Sequence, residues 1–89
     1  MNQVISRPFG EIDWTATHMI SREYNLICNI YRIGSKNPNQ DIAYVWVFGG
    51  DSKGRMEKSR KLQEEVRDVI KSRWHYRDVE CRSGDKKLF

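Results

Sequence analysis

The stretch that decides the fold reads Tyr44-Val45-Trp46-Val47-Phe48-Gly49-Gly50-Asp51-Ser52-Lys53-Gly54. Aromatic and β-branched side chains alternate over its first five residues, and a period of two is typical of a strand with different side chains on its two faces. The paired glycines end this strand, because glycine tolerates the backbone angles of tight turns. The glycine spacing matches neither a P-loop nor a dinucleotide-binding fingerprint, so we interpret it as a strand-to-helix turn.

A long helix is predicted over residues 52–74. Apolar side chains recur there at helical spacing and form one stripe, which consists of Leu62, Val66, Val69, Ile70 and Trp74. Asp51 or Ser52 is placed to cap the first amides of the helix. A second stripe, away from the apolar one, is cationic and consists of Lys53, Arg60, Arg67 and Lys71.

Cations crowd the predicted start of this helix, at Lys53, Arg55, Lys58, Arg60 and Lys61. The amino end of a helix carries a partial positive charge, so cations there cost stability and indicate an anion-binding surface. The charge of the whole chain is also uneven. Residues 1–52 carry four basic and five acidic side chains, residues 53–89 carry twelve and seven, and the net charge is +4. A basic half favours a polyanionic partner such as nucleic acid.

Alternation predicts that the first strand extends over residues 41–48, and it predicts other strands at residues 14–20, 25–33 and 76–82. A short helix is the competing interpretation of residues 14–20. Residues 34–40 form a loop. Residues 1–12 are predicted to be an irregular arm or edge strand, with a turn at residues 7–10, and residues 83–89 a polar tail. A chain of 89 residues makes one small domain, 1–89. The predicted fold is α+β in the order β-β-β-α-β: a three-stranded antiparallel meander, one long helix packed on one face, and a short returning strand.

The sheet face opposite the helix is expected to show a row of aromatic side chains, made up of Tyr31, Tyr44, Trp46 and Phe48. An uncovered row of this kind marks an interaction surface, and three interpretations remain open. The amino-terminal arm, with Phe9 and Trp14, can fold over the row as a second small core. The row can be the interface of a homodimer or of a protein partner. Alternatively, Tyr44 and Trp46 can stack on nucleic-acid bases.

Catalytic and metal-binding patterns are sparse. No close ligand pair occurs among His18, His75, Cys28 and Cys81, so we predict no metal site, and we predict no cofactor. The Glu-x-Lys that would complete a nuclease site does not follow the carboxylates Glu11, Asp13 and Asp41. His75 with Arg77 could supply the base and the phosphate contact of a metal-independent nuclease, but a cation near a helix carboxyl end explains His75 as well.

The leading hypothesis is a non-enzymatic binding domain that contacts the backbone of DNA or RNA through Lys53, Arg55, Lys58, Arg60, Arg67 and Lys71. The alternative is a small protein-binding module, an inhibitor or accessory subunit that can be homodimeric, with Tyr31, Tyr44, Trp46 and Phe48 as its interface. A metal-independent nuclease is third. Free thiols at predicted strand positions, no signal-peptide pattern and no span apolar enough for a membrane predict a cytoplasmic protein without a membrane partner.

Overall fold

Residues 10–34 and 41–89 are described by the structure, which is a computed structural model. Along these residues the elements are β1 (Glu11–Ile12), α1 (Trp14–Tyr24), β2 (Cys28–Ile33), β3 (Ile42–Val47), α2 (Gly50–Lys58), α3 (Arg60–Trp74), β4 (Asp78–Ser83) and β5 (Lys86–Lys87). The fold is α+β, as predicted, but it has more elements than the predicted order. The turn at residues 7–10, except Gly10, and most of the loop at residues 34–40 lie outside the described residues.

The described strands form one mixed sheet in the order β1-β2-β3-β4-β5. β2 and β3 pair antiparallel, as predicted, with Tyr31 opposite Tyr44. β4 lies parallel to β3, because two helices carry the chain back to the other end of the sheet between these strands, as a parallel pair requires. The predicted strands at residues 25–33, 41–48 and 76–82 are therefore confirmed, and no end is shifted by more than three residues.

The strand predicted at residues 14–20 is wrong, since these residues begin helix α1. The Asp13 carboxylate accepts the Ala16 amide at 3.0 Å and caps the helix start, and Asn25 ends the helix in the left-handed conformation with φ 54°. Ala16 and Ile20 are fully buried, and their spacing of four residues places both on the core side of a helix. The competing helical interpretation was the correct one.

The single helix predicted over residues 52–74 is divided at Ser59, which has extended backbone angles (φ −118°, ψ 103°). The Ser59 hydroxyl accepts the Leu62 amide at 3.0 Å and caps α3. The residue before α2 is Gly49 (φ 90°), and no side chain caps α2, so the predicted cap by Asp51 or Ser52 is wrong. The Ser52 hydroxyl instead accepts the Ile27 amide at 2.8 Å, which fastens α2 to the approach to β2.

The core lies between one face of the sheet and the helices. Inward side chains of β2, β3 and β4 alternate along each strand and pack with Ala16 and Ile20 of α1, Met56 of α2, and Val66 and Ile70 of α3. The predicted packing of the helix with this apolar stripe on one face of the sheet is thus confirmed. No described helix is long and apolar enough to cross a bilayer.

Both ends of the described chain add to the sheet. Glu11–Ile12 pairs with β2 as an edge strand; the rest of the arm or edge strand predicted over residues 1–12, residues 1–9, lies outside the described residues. The polar tail predicted at residues 83–89 is wrong, because the chain turns at Gly84 (φ 64°) and returns as β5. Beyond β5, Leu88 and Phe89 pair with the backbone of Cys81 at 2.8–2.9 Å and pack on the core.

Candidate functional site

One face of the sheet carries no helix among the described residues, and we call it the open face. Along β2, β3 and β4, the side chains that alternate with the core residues lie on the open face. The aromatic members are Tyr31, Tyr44 and Trp46, which are all partly buried. Phe48 follows β3, and its amide donates to the Ile27 carbonyl at 2.9 Å, so the antiparallel register extends to these two residues. The structure therefore places the four predicted aromatic residues on one surface.

The aromatic rings form an ordered strip with an exposed apolar end. Tyr44 and Trp46 lie with their ring centroids 6.5 Å apart and their planes inclined by 20°. Tyr31 faces Tyr44 across the β2–β3 pair. Phe48 is 38% exposed and Ile27, its neighbour on the β2 side, is 54% exposed. Large exposed apolar side chains that adjoin an aromatic strip are typical of an interaction surface.

Charges of both signs flank this strip on β4 and β5. Glu80 lies opposite Tyr44, and Arg82 lies opposite Trp46. Lys87 pairs with Arg82 at the sheet edge, and Asp78 pairs with Ile42 at the other end of β4. Burial raises the pKa of the Tyr44 hydroxyl, and Glu80 raises it further while Arg82 lowers it. The four charges sum to zero, with the carboxylates toward one end and the cations toward the other.

The predicted phosphate-binding cations lie on the helical side of the sheet and do not form one continuous helix stripe. Lys53 and Arg55 belong to α2, Lys58 ends α2, and Arg60 begins α3. Arg55 and Lys58 therefore sit in the last turn of a helix, where the helix dipole favours cations. The predicted crowding of all five cations at one helix start is not found.

Arg55 is engaged in the fold. Its guanidinium donates to the Tyr24 carbonyl at 2.8 Å and to the Asn25 carbonyl at 2.6 Å, which satisfies acceptors at the end of α1. Lys53 lies over the β4–β5 turn, with its Nζ 3.6 Å from the position that a Cβ on Gly84 would occupy. Arg55 therefore connects α2 to the end of α1.

The remaining cations are gathered on the outer side of the helices. Lys58, Arg60 and Lys61 are exposed at the α2–α3 junction, and α3 has no acidic residue in its first turn. Within the described ranges, the salt bridges include none made by these three side chains or by Lys71. Arg67 approaches Asp68 at 3.3 Å, and both are well exposed. A shallow depression beside Arg60 and Arg67 is also lined by Gln63, Glu64, Leu88 and Phe89.

The two candidate surfaces face away from each other. The aromatic residues occupy the open face, whereas the cations of α2 and α3 lie beyond the core on the other face. Phosphate contact by Arg60 and base stacking on Trp46 therefore belong to two separate sites rather than one. Trp14 lies in α1 on the helical side, 57% exposed and 5.6 Å from the His18 ring, so it does not cover the aromatic strip; Phe9 lies outside the described residues.

A polar cluster that the sequence did not indicate joins four separate stretches of chain. The Tyr76 hydroxyl donates to Asp13 Oδ2 at 2.6 Å, and Arg32 lies 3.6 Å from a carboxylate oxygen of both Asp13 and Asp41. Burial and the Asp13 carboxylate raise the pKa of Tyr76 to about 12. Asp41 is 4% exposed, and its Oδ1 has no hydrogen-bond partner among residues 10–34 and 41–89. The only sequence signal for this cluster was Asp13, which is a suitable helix cap ahead of Trp14.

The residues considered for catalysis remain scattered. His75 adopts the left-handed conformation that ends α3 (φ 60°) and is exposed. Cys28 and Cys81 are buried free thiols with raised pKa values, chiefly because of burial. Among residues 10–34 and 41–89, no group of three or more potential ligands is placed to hold a metal ion.

Comparison of the chain with protein-family models, with curated proteins and with solved structures finds no match.

Proposed function

We propose that this protein is a non-enzymatic binding domain that contacts the phosphate backbone of nucleic acid through the outer surface of α2 and α3. The observation that carries the proposal is the exposed group Lys58, Arg60 and Lys61, which forms no salt bridge within the described chain. Exposed cations of this kind bind phosphate and release its condensed counterions, which gives affinity without sequence readout.

Arg67 and Lys71 extend this surface along α3. They follow Arg60 by seven and eleven residues, which is about two and three helical turns. Glu64 lies between Arg60 and Arg67 on the helix surface and reduces the local positive potential. Arg55 is left out of the proposed interface, because its guanidinium is held by two backbone carbonyls.

The test is the salt dependence of binding to a short labelled oligonucleotide, either DNA or RNA, measured by fluorescence anisotropy between about 50 and 200 mM salt. The double variant Lys58→Ala/Arg60→Ala should lower the slope of log K against log salt by about 2, because two phosphate contacts are lost. Arg82→Ala/Lys87→Ala removes the same charge from the opposite face of the sheet and should leave the slope almost unchanged. Absence of binding at low salt, or an equal loss in both double variants, would refute the proposal.

A second candidate function is a protein-binding module, an inhibitor or accessory subunit, that uses the open face. It is favoured by the exposure of Ile27 and Phe48 beside the Tyr44–Trp46 pair. Trp46→Ala should abolish association with the partner while circular dichroism shows an unchanged fold, because the Trp46 ring is partly exposed. An unfolded Trp46→Ala protein would instead identify the ring as part of the core.

A further inference from the structure

We infer that the open face is a homodimer interface, on which a second copy of this chain packs sheet to sheet about a twofold axis. The inference does not depend on nucleic-acid binding, which uses the other side of the domain. Three observations carry it: aromatic side chains at the centre of β2 and β3, an exposed apolar row at one end, and the opposite charges of Glu80 and Arg82 at equal distances from one line across the strands.

The side chains of the open face fall into rows across β2, β3 and β4, because residues opposite each other in register share a face. One central row contains Tyr31, Tyr44 and Glu80, and the next contains Asn29, Trp46 and Arg82. An outer row contains Ile33, Ile42 and Asp78, and the outer row at the other end contains Ile27 and Phe48.

The twofold axis lies in the plane of the interface, runs perpendicular to the strands and passes between the two central rows. Rotation about it places each central row of one copy on the other central row of the second copy. Tyr44 then meets Trp46 of the other copy, and Glu80 meets Arg82 of the other copy. Ile33 and Ile42 then fall on the exposed Ile27 and Phe48 of the other copy, and Asp78 falls beside the turn at Gly84 of the other copy. The surface is thereby self-complementary, as an isologous interface requires.

The charges of this face favour protein over nucleic acid as its occupant. Asp78 and Glu80 would repel phosphate, whereas Arg82 and Lys87 balance them within the same face. Arg82 is already oriented by a 3.3 Å hydrogen bond to the Asp85 carbonyl. The self-matching positions of Glu80 and Arg82 select a second copy over an unrelated protein.

The size of the face predicts a weak dimer. Strands about 4.8 Å apart and about 3.3 Å of rise per residue give a footprint of about 20 by 20 Å, at the low end for specific protein interfaces. Association is therefore expected to depend on protein concentration in a range that sedimentation or light scattering can follow.

Charge reversal tests the arrangement directly. Analytical ultracentrifugation of the wild-type chain should show the mass rising with concentration from 10.6 kDa toward twice that value. Glu80→Arg alone places a new guanidinium against Arg82 of the other copy and should give a monomer, and Arg82→Glu alone should do the same by bringing two carboxylates together. An equimolar mixture of the two variants should dimerise, because both cross-copy pairs are then opposite in sign. The double variant Glu80→Arg/Arg82→Glu should also dimerise.

Controls separate the interface from general effects of charge and folding. Glu65→Arg makes the same charge change on the exposed side of α3 and should leave dimerisation unchanged. Phe48→Asp tests the apolar end at a side chain that is 38% exposed, so folding is expected to persist while the dimer is lost. Circular dichroism verifies the fold of each variant.

Three results would overturn the inference. The first is a wild-type chain that stays monomeric at millimolar concentration, as it would if its own amino-terminal arm covered the open face. The second is a dimer that survives both single charge reversals. The third is a single-stranded oligonucleotide whose affinity falls on Trp46→Ala, which would identify bases as the occupant. None of these results bears on the salt slope of Lys58→Ala/Arg60→Ala.

Discussion

The hydroxyl of Tyr76 shows how one buried residue ties distant parts of this chain together. Tyr76 follows α3, is 5% exposed and donates to the carboxylate of Asp13 at the start of α1. Arg32 of β2 lies 5.9 Å from the centre of the Tyr76 ring and close to the same carboxylate. The neutral phenol is favoured because burial opposes its ionisation and because it donates to Asp13.

We predict that Tyr76→Phe lowers the free energy of unfolding by about 1–3 kcal/mol at pH 8, since a hydrogen bond to a carboxylate is lost. The pKa of Tyr76 is raised from 10.0 to about 12, so its contribution is complete below pH 10 and is lost as the pH rises toward 12. Between pH 8 and pH 11, urea unfolding should therefore show that the variant loses less unfolding free energy than the wild type does. Equal losses in the two proteins would contradict this role.

Arg55 allows a structural role to be separated from phosphate contact. We predict that Arg55→Ala lowers the unfolding free energy by about 1 kcal/mol, because two carbonyls at the end of α1 lose their donor. Arg55→Lys should recover little, since an ammonium lacks the guanidinium fork. The salt slope of oligonucleotide binding should not change. A slope lower by about 1 would restore Arg55 to the phosphate interface.

At the scale of elements, Ser59 decides that residues 50–74 form two helices. Its extended backbone ends α2, its hydroxyl caps α3, and Gln63 Nε2 donates to the Met56 carbonyl at 2.7 Å across the break. We predict that Ser59→Ala costs about 1 kcal/mol of stability, whereas Ser59→Asp costs little, because aspartate also caps. Thermal unfolding checks both variants. Equal stability of the alanine and aspartate variants would refute the capping role.

Strand alternation was a reliable guide where tertiary structure agreed with it. β2, β3 and β4, the division of their side chains between core and open face, and the apolar stripe of α3 followed from periodicity. Seven residues from Trp14 also alternate, but there the Asp13 cap and the burial of Ala16 with Ile20 decide for a helix. Periodicity did not reveal the break at Ser59, because the apolar stripe that predicted the long helix begins only at Leu62.

The candidate sites were predictable only in part. The aromatic row needed nothing beyond alternation on β2 and β3. The partners of Glu80 and Arg82, in contrast, depend on the parallel register of β4 with β3, which a sequence does not specify. The cluster around Arg32 draws Asp13, Asp41 and Tyr76 from separate stretches, so only the topology brings it together.

At the scale of the whole molecule, the domain is a slab whose shortest dimension is 20 Å. Helices cover one side and the open face forms the other. A dimer that joins two open faces therefore turns the cations of α2 and α3 outward in each copy. The two surfaces proposed to bind phosphate then face in opposite directions, so a single straight duplex cannot contact both.

Together, the two proposals predict that the dimer bridges two nucleic-acid molecules. Mixing wild-type protein with equal amounts of donor-labelled and acceptor-labelled duplexes should produce energy transfer between the duplexes at low salt, because each copy holds one. Glu80→Arg should bind both duplexes without bridging them, and Glu80→Arg/Arg82→Glu, whose net charge equals that of the wild type, should restore the transfer. Bridging by monomeric Glu80→Arg would place a second binding surface within one copy. A dimer that binds duplexes without bridging would show that its cationic surfaces share one side.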